Sequence, residues 1–353
     1  MEISAIDQAR ATEFASGTTY LNTSASGLLP RRALEAVRTL AEECAAGVRG
    51  GPGSFDAVDA ARAGFARIVG VAPARVAVGG SVAAHVGLVA ASLPPGAEVL
   101  APTGEFSSVV SPFAVRGDLR MRYVPLTELA DAVRPGTALV AFSAAQSADG
   151  RVADLDAVRT AAAAHGARTM LDASQSAGWL PLDAGAYDYT VTGGYKFLMG
   201  PRGTSFLTVT EEAQETLPSL YAGWVAAEDR WNSTYGPVEK LAPDARRFDE
   251  PVAFLAYHGA EKALDLLAEV GVDAVYAHAT GLAARFRKGL ASAGHEAVPG
   301  TSAIVAVPGL GGREPDLAAA GVLVSARAGN LRAAFHLYNT AAEVDRALDV
   351  LSG

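Results

Sequence analysis

The sequence predicts an α/β protein, with a mostly parallel seven-stranded sheet in a large domain and a smaller α+β domain after it. Three observations predict this fold. Seven short runs of β-type composition lie between residues 74 and 209, separated by helical or loop segments. Several of these runs are apolar without alternation, which is typical of strands buried on both faces. From about residue 250 the pattern changes to two long helical stretches followed by shorter strands. Strand–helix alternation of the first kind favours a parallel sheet covered by helices on both sides.

The elements of the large domain follow in chain order. The predicted strands are RVAVGG (75–80), EVLAP (98–102), RMRYVPL (120–126), ALVAFSAA (138–145), RTMLDAS (168–174), DYTVTGG (188–194) and TSFLTV (204–209). The segment 153–166 predicts a crossover helix that ends at Gly166. A helix is also predicted near 31–46. Its apolar stripe, expected to pack against the rest of the protein, consists of Leu34, Val37, Leu40, Ala41 and Cys44.

The C-terminal part predicts an α+β domain. Its predicted strands are SAIVAVPG, GVLVSAR and NLRAAFHLYN, and TAAEVDRALDVL predicts the last helix. Thr340 and Glu343 have the spacing of a capping box at the start of that helix. We therefore expect an N-terminal segment (1–30) that packs on the small domain, a large domain (31–245) and a small C-terminal domain (246–353).

Composition limits the possible partners and location. The chain has 353 residues and a formal net charge of −9, which argues against nucleic acid or an anionic membrane as the main partner. No run of about 18 apolar residues is present, and the start MEISAIDQARATEF lacks the features of a signal peptide. A single cysteine excludes an internal disulfide framework and a multi-cysteine zinc site. The sequence thus predicts a cytoplasmic protein without a metal site.

Asp172 and Lys196 are the first candidates for chemistry. Asp172 ends an apolar predicted strand, and Lys196 follows another strand 24 residues later. Ligands of parallel α/β sheets bind at the carboxyl ends of strands, so both side chains can reach one cleft. The two side chains could form a simple ion pair. Alternatively, the lysine forms a Schiff base while the aspartate holds a cationic ring nitrogen, which is what pyridoxal 5′-phosphate (PLP) requires of a protein.

The segments LDASQSAG (171–178) and DYTVTGGYKFLMGPRGTSFL (188–207) resemble the PLP segment of the class V aminotransferase family, fold type I. This family includes kynureninases, cysteine desulfurases, isopenicillin epimerase-like enzymes and the ergothioneine C–S lyase. The similarity extends from YLNTSASGLLP (20–30) to LRAAFHLYNTAAEVD (331–345), which is nearly the whole chain. The resemblance implies a PLP-dependent enzyme that acts on a small α-amino acid and forms a homodimer with the active site at the interface.

The resemblance also implies roles for single residues around the cofactor ring. Lys196 would form the Schiff base, and Asp172 would pair with the pyridinium nitrogen. Gln175 and Gln146 match positions near the cofactor's 3-hydroxyl, although both could instead be hydrogen-bonding residues at strand ends. Phe106, in PTGEFSSVVSPF, matches the aromatic residue that stacks on the ring. A core position for Phe106 is the alternative.

The phosphate is expected where GGSVAAHVGL begins a helix, because free N–H groups and the helix dipole favour an anion there. The expected donors are Ser81 and the backbone amides of Val82 and Ala83. A glycine pair before a helix often marks only a tight turn, and this alternative stays open. The phenol of Tyr195 could also reach the phosphate.

Arg332 matches the family arginine that binds the substrate α-carboxylate in bidentate fashion; an unpaired surface arginine is the alternative. Trp224, in YAGWVAAEDRW, resembles a kynureninase segment that reaches the cofactor of the neighbouring subunit. One departure from the family is informative. Desulfurases need a mobile cysteine before the C-terminal arginine, and SARAGN (325–330) has none. Since Cys44 is expected to be inert packing in an early helix, a persulfide-relay desulfurase is not predicted.

The reaction type is the least determined property. β-Elimination, Cβ–C cleavage, transamination and racemisation all begin from the same carbanion. Kynureninase-like Phe106 and Tyr195 favour a lyase that cleaves a C–S or C–C bond, and an aminotransferase or an epimerase is the alternative. A binding protein with inactive chemistry is a further alternative. The presence of Lys196, Asp172 and Arg332 argues against it, because a scaffold needs none of them. His85, His258 and His336 lack metal-ligand spacing and are expected to be packing or surface residues.

Overall fold

Twelve strands and eleven helices form the described part of the chain. The structure, a computed structural model, describes residues 4–48 and 53–352. The strands are β1 (Thr19–Tyr20), β2 (Val76–Gly79), β3 (Glu98–Pro102), β4 (Arg120–Val124), β5 (Thr137–Ser143), β6 (Arg168–Asp172), β7 (Tyr189–Gly193), β8 (Ser205–Val209), β9 (Ile304–Val307), β10 (Val322–Leu323), β11 (Ser325–Arg327) and β12 (Asn330–Ala334). The helices are α1 (Ala5–Glu13), α2 (Arg31–Ala46), α3 (Phe55–Ile68), α4 (Val82–Ser92), α5 (Ser107–Ala114), α6 (Leu155–His165), α7 (Glu211–Gln214), α8 (Phe254–Val270), α9 (Val272–Ser292), α10 (Glu314–Ala319) and α11 (Ala341–Ser352).

The central sheet contains seven strands in the order β2-β8-β7-β6-β5-β3-β4. β8 is antiparallel to both of its neighbours, and the other strand pairs are parallel. The prediction of a mostly parallel seven-stranded sheet is confirmed, and each predicted strand overlaps an observed one. β3, β7 and β8 are buried at every position, as apolar strands covered on both faces should be. The carboxyl ends of the parallel strands consequently meet at one edge of the sheet.

The predicted helices form with the expected ends. α6 ends at Gly166, which has a φ of +66°, a left-handed conformation that glycine adopts without steric cost. The capping box of α11 is present, because Glu343 accepts a hydrogen bond of 2.7 Å from the Thr340 N–H. Thr340 Oγ1 in turn accepts a hydrogen bond of 3.2 Å from the Glu343 N–H. These local signals depend only on neighbouring residues.

The predicted stripe of α2 is only partly correct. Leu40 is buried as predicted, whereas Leu34 is 55% exposed and Cys44 is exposed rather than packed. The helix also buries Ala33 and contacts α8, where a Cβ on Gly259 would lie only 2.8 Å from Val37 Cγ2. The missing side chain of Gly259 allows the two helices to approach closely at this point.

The N-terminal segment lies against the C-terminal elements. β1 pairs in parallel with β10, and the Ala334 N–H donates a hydrogen bond of 2.8 Å to the Leu21 carbonyl. The C-terminal part contains a three-stranded antiparallel sheet in the order β11-β12-β9, together with α8, α9 and α11. The domain boundaries at 30 and 245 stay predictions, and residues 1–3, 49–52 and 353 of those ranges lie outside the described residues. Among the described helices, none is long and apolar enough to cross a membrane.

Candidate active site

A cavity of about 200 Å³ opens at the carboxyl edge of the central sheet. Most of its walls come from the segments that follow β2, β3, β6 and β7. The lining residues are Gly80, Ser81, Val82, Ala83, Phe106, Ser108, Asp172, Ser174, Gly193, Tyr195, Lys196, Arg202, Gly203 and Thr204. The fold thus brings seven of the residues predicted from the sequence to one place, as expected for the edge where parallel strands end.

Lys196 lies in the turn that follows β7. Its side chain is buried, with the residue only 6% exposed. Burial lowers the pKa of Lys196 to about 8; Asp172 opposes this shift, and Arg332 and Arg202 add to it. The N-terminal segment supports the turn, because the Gly27 N–H donates a hydrogen bond of 2.9 Å to the Tyr195 carbonyl. Lys196 is therefore an amine that can be unprotonated near neutral pH, when it is a nucleophile.

Asp172 ends β6 and is also buried. The Ser174 N–H donates a hydrogen bond of 2.7 Å to its Oδ1. Burial raises the pKa of Asp172, although the positive charge of Lys196 and the Ser174 bond oppose the rise. Asp172 and Lys196 influence each other's pKa, but within the described residues no N–O distance of 4.0 Å or less joins them as an ion pair. A buried carboxylate in this position is stabilised when a second cation pairs with it.

The first turn of α4 presents unpaired donors to the cavity. Ser81 is the N-cap residue, and its Oγ accepts a hydrogen bond of 3.3 Å from the Ala84 N–H. Among the described residues, no acceptor pairs with the N–H groups of Val82 and Ala83. The Gly80 N–H donates instead to the Glu250 carboxylate at 3.0 Å. The helix dipole and the two free amides make this end of the cavity suitable for an anion.

Two aromatic rings lie close to the Lys196 amine. The ring centroid of Phe106 is 5.1 Å from Nζ, and that of Tyr195 is 5.8 Å from Nζ. Phe106 is 41% exposed, so the core position left open from the sequence is excluded. On Tyr195, the guanidinium of Arg202 stacks at 4.2 Å from the ring centroid. The cavity therefore has an apolar wall beside the amine, which disfavours the charged ammonium form.

Gln146 and Gln175 lie behind the cavity and are not among its lining residues. Gln175 Nε2 donates hydrogen bonds to the Ser24 carbonyl at 3.0 Å and to Ser147 Oγ at 3.2 Å. Its Oε1 is buried and has no hydrogen-bond partner in the described chain. Such an atom needs a donor from outside the protein. Gln146 Nε2 donates to Glu105 at 2.8 Å, which leaves its second N–H available.

Arg332 is 1% exposed and lies on β12, so the surface alternative is excluded. Its Nη1 donates to the carbonyl and the hydroxyl of Ser147, and its Nε donates to Ser325 Oγ at 3.2 Å. Burial lowers the pKa of Arg332 to about 10, and the charge of Arg327 adds to this shift. Nη2 has no hydrogen-bond partner among the described residues, and Arg332 is not among the lining residues of the cavity.

Trp224 is not brought to the cavity of its own chain. Its ring packs edge-on against the ring of Phe55, with centroids 5.5 Å apart. It also packs at a tilt against Trp231, with ring centroids 5.7 Å apart. Its contact with the cofactor of a neighbouring subunit stays a prediction. His85 and His336 are buried, as expected of packing residues. No group of three metal-ligating side chains occurs in the part of the chain that the structure describes.

The sequence reasoning missed Glu105, which precedes Phe106 and is buried behind it. Its carboxylate accepts hydrogen bonds from the N–H of Phe106 at 2.7 Å and of Ser143 at 2.9 Å. It also accepts hydrogen bonds from Ser143 Oγ at 2.6 Å and Gln146 Nε2 at 2.8 Å. The sequence did contain a signal for Glu105: it is a charged residue directly before Phe106, the candidate ring-stacking residue, and it follows a buried strand. Arg202, Ser174, Ser108 and Thr204 were also missed as lining residues.

The donor set of this cavity fits PLP. A reactive amine fits its aldehyde, a buried carboxylate fits its basic ring nitrogen, and a free helix N terminus fits its phosphate. The fold and the site together define the class of PLP-dependent α/β enzymes of fold type I.

Comparison with known proteins identifies the family. The model of the family described as aminotransferase class-V matches residues 19–308. The chain belongs to the aminotransferase class-V family and is a PLP-dependent enzyme. Both the family resemblance and the cofactor predicted from the sequence are confirmed.

Relatives in the family have several different names. The uncharacterized aminotransferase YcbU of Bacillus subtilis is 27% identical over 85% of this chain and 84% of its own length. Isopenicillin N epimerase of Streptomyces clavuligerus is 29% identical over 94% of each chain. Kynureninase of Deinococcus radiodurans is 30% identical over 45% of this chain and 39% of its own length. These relatives are named as an aminotransferase, an epimerase and a kynureninase, so family membership leaves the reaction open.

Solved structures show the same fold. The apo cysteine desulfurase of Thermococcus onnurineus superposes with a TM-score of 0.85, at 20% identity, over 100% of this chain and 98% of its own. The cystine C–S lyase C-DES, in complex with cysteine persulfide, also has a TM-score of 0.85, at 24% identity, over 96% and 98% of the two chains. At these identities the likeness establishes the fold alone.

Proposed function

We propose that this enzyme is a lyase that cleaves a C–S or C–C bond of an α-amino acid, as kynureninase-like enzymes do. The observation that carries the proposal is the buried amine of Lys196. Among the residues described as lining the cavity, Lys196 is the one whose pKa is shifted to about 8. One base whose pKa is close to neutral pH suffices to remove a proton from a substrate carbon and to return it later.

Three groups of the chain would hold the cofactor. Lys196 would be bonded covalently to its aldehyde. The Asp172 carboxylate would pair with the protonated ring nitrogen, and the first turn of α4, with Ser81, Val82 and Ala83, would bind the phosphate. When bound, PLP supplies an electron sink for the bonding electrons of the substrate's α-carbon. The negative charge of Asp172 keeps the ring nitrogen protonated, which is the state that accepts electrons best.

The remaining residues would orient the ring and the substrate. Phe106 would lie against the ring, and Tyr195 would lie near the phosphate. Gln146 and Gln175 would hydrogen-bond to the ring's 3-hydroxyl. The free side of the Arg332 guanidinium would bind the substrate α-carboxylate. A planar guanidinium fixes the orientation of a carboxylate, and this orientation decides which bond of the α-carbon is weakened.

The cavity supports a lyase over two other reactions of the family. An epimerase that uses two bases would need a second acid–base group on the face of the ring opposite Lys196, and the ring of Phe106, 5.1 Å from Nζ, cannot take this role itself. Persulfide transfer needs a cysteine, and Cys44 is exposed on α2 and does not line the cavity. Relatives named kynureninase and probable cysteine desulfurase are bond-cleaving enzymes. An aminotransferase is the second candidate, because the same single base serves it and because YcbU is named as one.

The test has two parts. Borohydride treatment followed by peptide mass spectrometry should find the cofactor on Lys196, and an adduct on another lysine would contradict the site. The purified enzyme is then incubated with cysteine conjugates, kynurenine-like amino acids and simple amino acids, without any keto acid. A lyase should release pyruvate or alanine over many turnovers. Stoichiometric loss of colour that an added keto acid restores would identify an aminotransferase instead.

We also propose a cytoplasmic homodimer. Large apolar side chains remain exposed in the single chain, among them Trp231 at 73% and Tyr235 at 94%, and a second copy would cover part of such a surface. A sequence with one cysteine suits a reducing compartment. Sedimentation equilibrium should give twice the mass of 36.1 kDa, and a monomer at working concentration would contradict the dimer.

A further inference from the structure

The hairpin of β11 and β12 presents several polar side chains on one face. In its antiparallel register, Ser325 is opposite Arg332 and Arg327 is opposite Asn330. Residues opposite each other in a ladder, and residues two apart along a strand, share one face of the sheet. Ser325, Arg327, Asn330 and Arg332 therefore lie on a common face. The hydrogen bond of 3.2 Å from Arg332 Nε to Ser325 Oγ agrees with this arrangement.

One side chain of this face contacts the central sheet. Arg332 reaches from the face to Ser147, which follows β5 at the carboxyl edge of the central sheet. Arg327 is two residues further along β11 than Ser325, which corresponds to roughly 7 Å along a strand. The turn that follows it, Ala328 and Gly329, has φ values of +49° and +79°. Two successive residues in the left-handed region form the tight two-residue turn of a hairpin, so Arg327 is held at the end of β11.

Arg327 carries a positive charge that the described chain does not neutralise. Its Nη1 donates a hydrogen bond of 2.8 Å to the Ala326 carbonyl. Among the described residues, no carboxylate oxygen lies within 4.0 Å of its guanidinium nitrogens. Burial lowers the pKa values of Lys196 and Arg332, and the charge of Arg327 lowers both further. Arg327 is exposed and shares one face of the hairpin with the cation Arg332, an arrangement that an additional anion would stabilise.

The other anions expected in the site already have partners. The first turn of α4 is assigned to the cofactor phosphate, and Arg332 is assigned to the α-carboxylate of the substrate. Asn330, which is half-buried and on the same face as Arg327, also has an amide without a hydrogen-bond partner among the described residues. Arg327 and Asn330 therefore offer a cation and a neutral donor side by side for one more anionic group.

We propose that Arg327 determines substrate specificity by binding an anionic group on the substrate side chain. The substrate is then an α-amino acid with a short acidic side chain, a carboxylate or a sulfinate, whose two anions are held by Arg332 and Arg327. The inference rests on the proposed function, since it takes the assignment of Arg332 to the α-carboxylate from there.

The test measures binding rather than turnover. Purified holoenzyme is titrated with L-aspartate, L-glutamate and L-cysteine sulfinate, and with the neutral isosteres L-asparagine and L-glutamine. The change of the cofactor's visible absorption gives each Kd. The wild type should bind each acid about tenfold or more tightly than its amide, as expected for a charge-assisted pair. Arg327→Gln should abolish this ratio, and Arg327→Lys should retain part of it. Arg159→Gln is the matched control, because Arg159 lies on α6 and pairs with Asp156 at 2.8 Å; it should leave the ratio unchanged.

The outcomes separate this inference from the proposed function. Equal affinities for acids and amides in the wild type, or an unchanged ratio in a folded Arg327→Gln, would overturn the role of Arg327 alone. If Arg327→Gln does not fold by circular dichroism, the wild-type ratio and Arg327→Lys still decide the question. If no amino acid changes the spectrum of a cofactor-loaded wild type, the proposed function itself fails.

Discussion

The side-chain amide of Gln146 donates a hydrogen bond of 2.8 Å to the carboxylate of Glu105. The same carboxylate accepts a bond of 2.7 Å from the N–H of Phe106 and two bonds from Ser143 at the end of β5. One buried carboxylate thus joins the residue whose ring lies beside Lys196 to the neighbouring strand and to Gln146. The position of Glu105 therefore constrains both Phe106 and Gln146, the two candidate contacts of the cofactor ring that it binds.

Glu105→Gln should weaken cofactor binding without unfolding the enzyme. The amide replaces one acceptor oxygen with a donor, so at least one of the four donors around it loses its partner. An unsatisfied buried donor costs about 1–3 kcal/mol, and we expect cofactor affinity to fall about tenfold, with a shifted absorption maximum. Fluorescence titration of apoenzyme with PLP measures the affinity. Glu128→Gln, at an exposed position, is the control, and identical affinities for both variants would exclude a positioning role for Glu105.

Asp172→Asn and Arg332→Ala should separate two functions of the site. Asp172→Asn should still bind the cofactor covalently but slow α-proton exchange about 100-fold or more, the scale of losing one preorganised electrostatic group. Arg332→Ala should weaken amino-acid binding about 10–100-fold, because charge-assisted bonds contribute about 1.5–3 kcal/mol, and should leave the cofactor spectrum nearly unchanged. Deuterium exchange by NMR and absorption titrations measure the two effects. The opposite pattern would mean that the two roles are wrongly assigned.

The rate at which PLP attaches to the apoenzyme should rise with pH with a midpoint near pH 8 and level off about one pH unit higher. Only the unprotonated amine attacks an aldehyde, and burial lowers the pKa of Lys196 to about 8. Arg202 lowers that pKa and Asp172 raises it. Arg202→Gln should consequently move the midpoint to higher pH, and Asp172→Asn should move it to lower pH. Stopped-flow absorption measures the rates, and two shifts in the same direction would show that these charges do not control the amine.

Gly27→Ala should destabilise the turn that carries Lys196. A Cβ on Gly27 would lie 2.1 Å from the Lys196 carbonyl oxygen, so either the N-terminal segment or the turn must move. Overpacking of this kind costs about 1–3 kcal/mol, and the retained cofactor should decrease as well. Gly17→Ala is the matched control, because its Cβ would meet nothing within 4 Å. Urea denaturation and cofactor absorbance measure both effects; equal behaviour of the two variants would contradict the contact.

Cys44→Ser should retain full activity on every substrate that the wild type accepts. Cys44 is exposed on α2 and is not among the lining residues of the cavity. Because it is the one cysteine of the chain, no other thiol could carry a persulfide. Turnover assays with the sulfur-containing substrates of the panel provide the measurement. A severe loss of activity in the serine variant would restore the persulfide-relay desulfurase.

Helix α2 and strand β3 show where sequence patterns suffice and where they fail. β3 was predicted with both ends correct, because its central residues are apolar, as in a strand buried on both faces, and turn residues precede and follow it. The stripe of α2 was only partly correct, because Leu40 is buried while Leu34 and Cys44 are exposed. Several faces of this helix carry apolar residues, and the close approach of α8 at Gly259 decides which face is buried.

The sequence by itself determined the strands, the family and the residues Lys196 and Asp172. The composition of a strand is a local property of the sequence, and so is the spacing of two charged residues at strand ends. Both can be read without knowing which other segments they contact. Only the tertiary structure decided that Glu105 holds Phe106, that Gly27 supports the Lys196 turn and that Arg327 shares a face with Arg332. Each of these depends on contacts between segments that are distant in the chain or on strand register. Burial, charge and hydrogen bonding of a side chain are set by its neighbours in space, and the chain brings those neighbours together only when it folds.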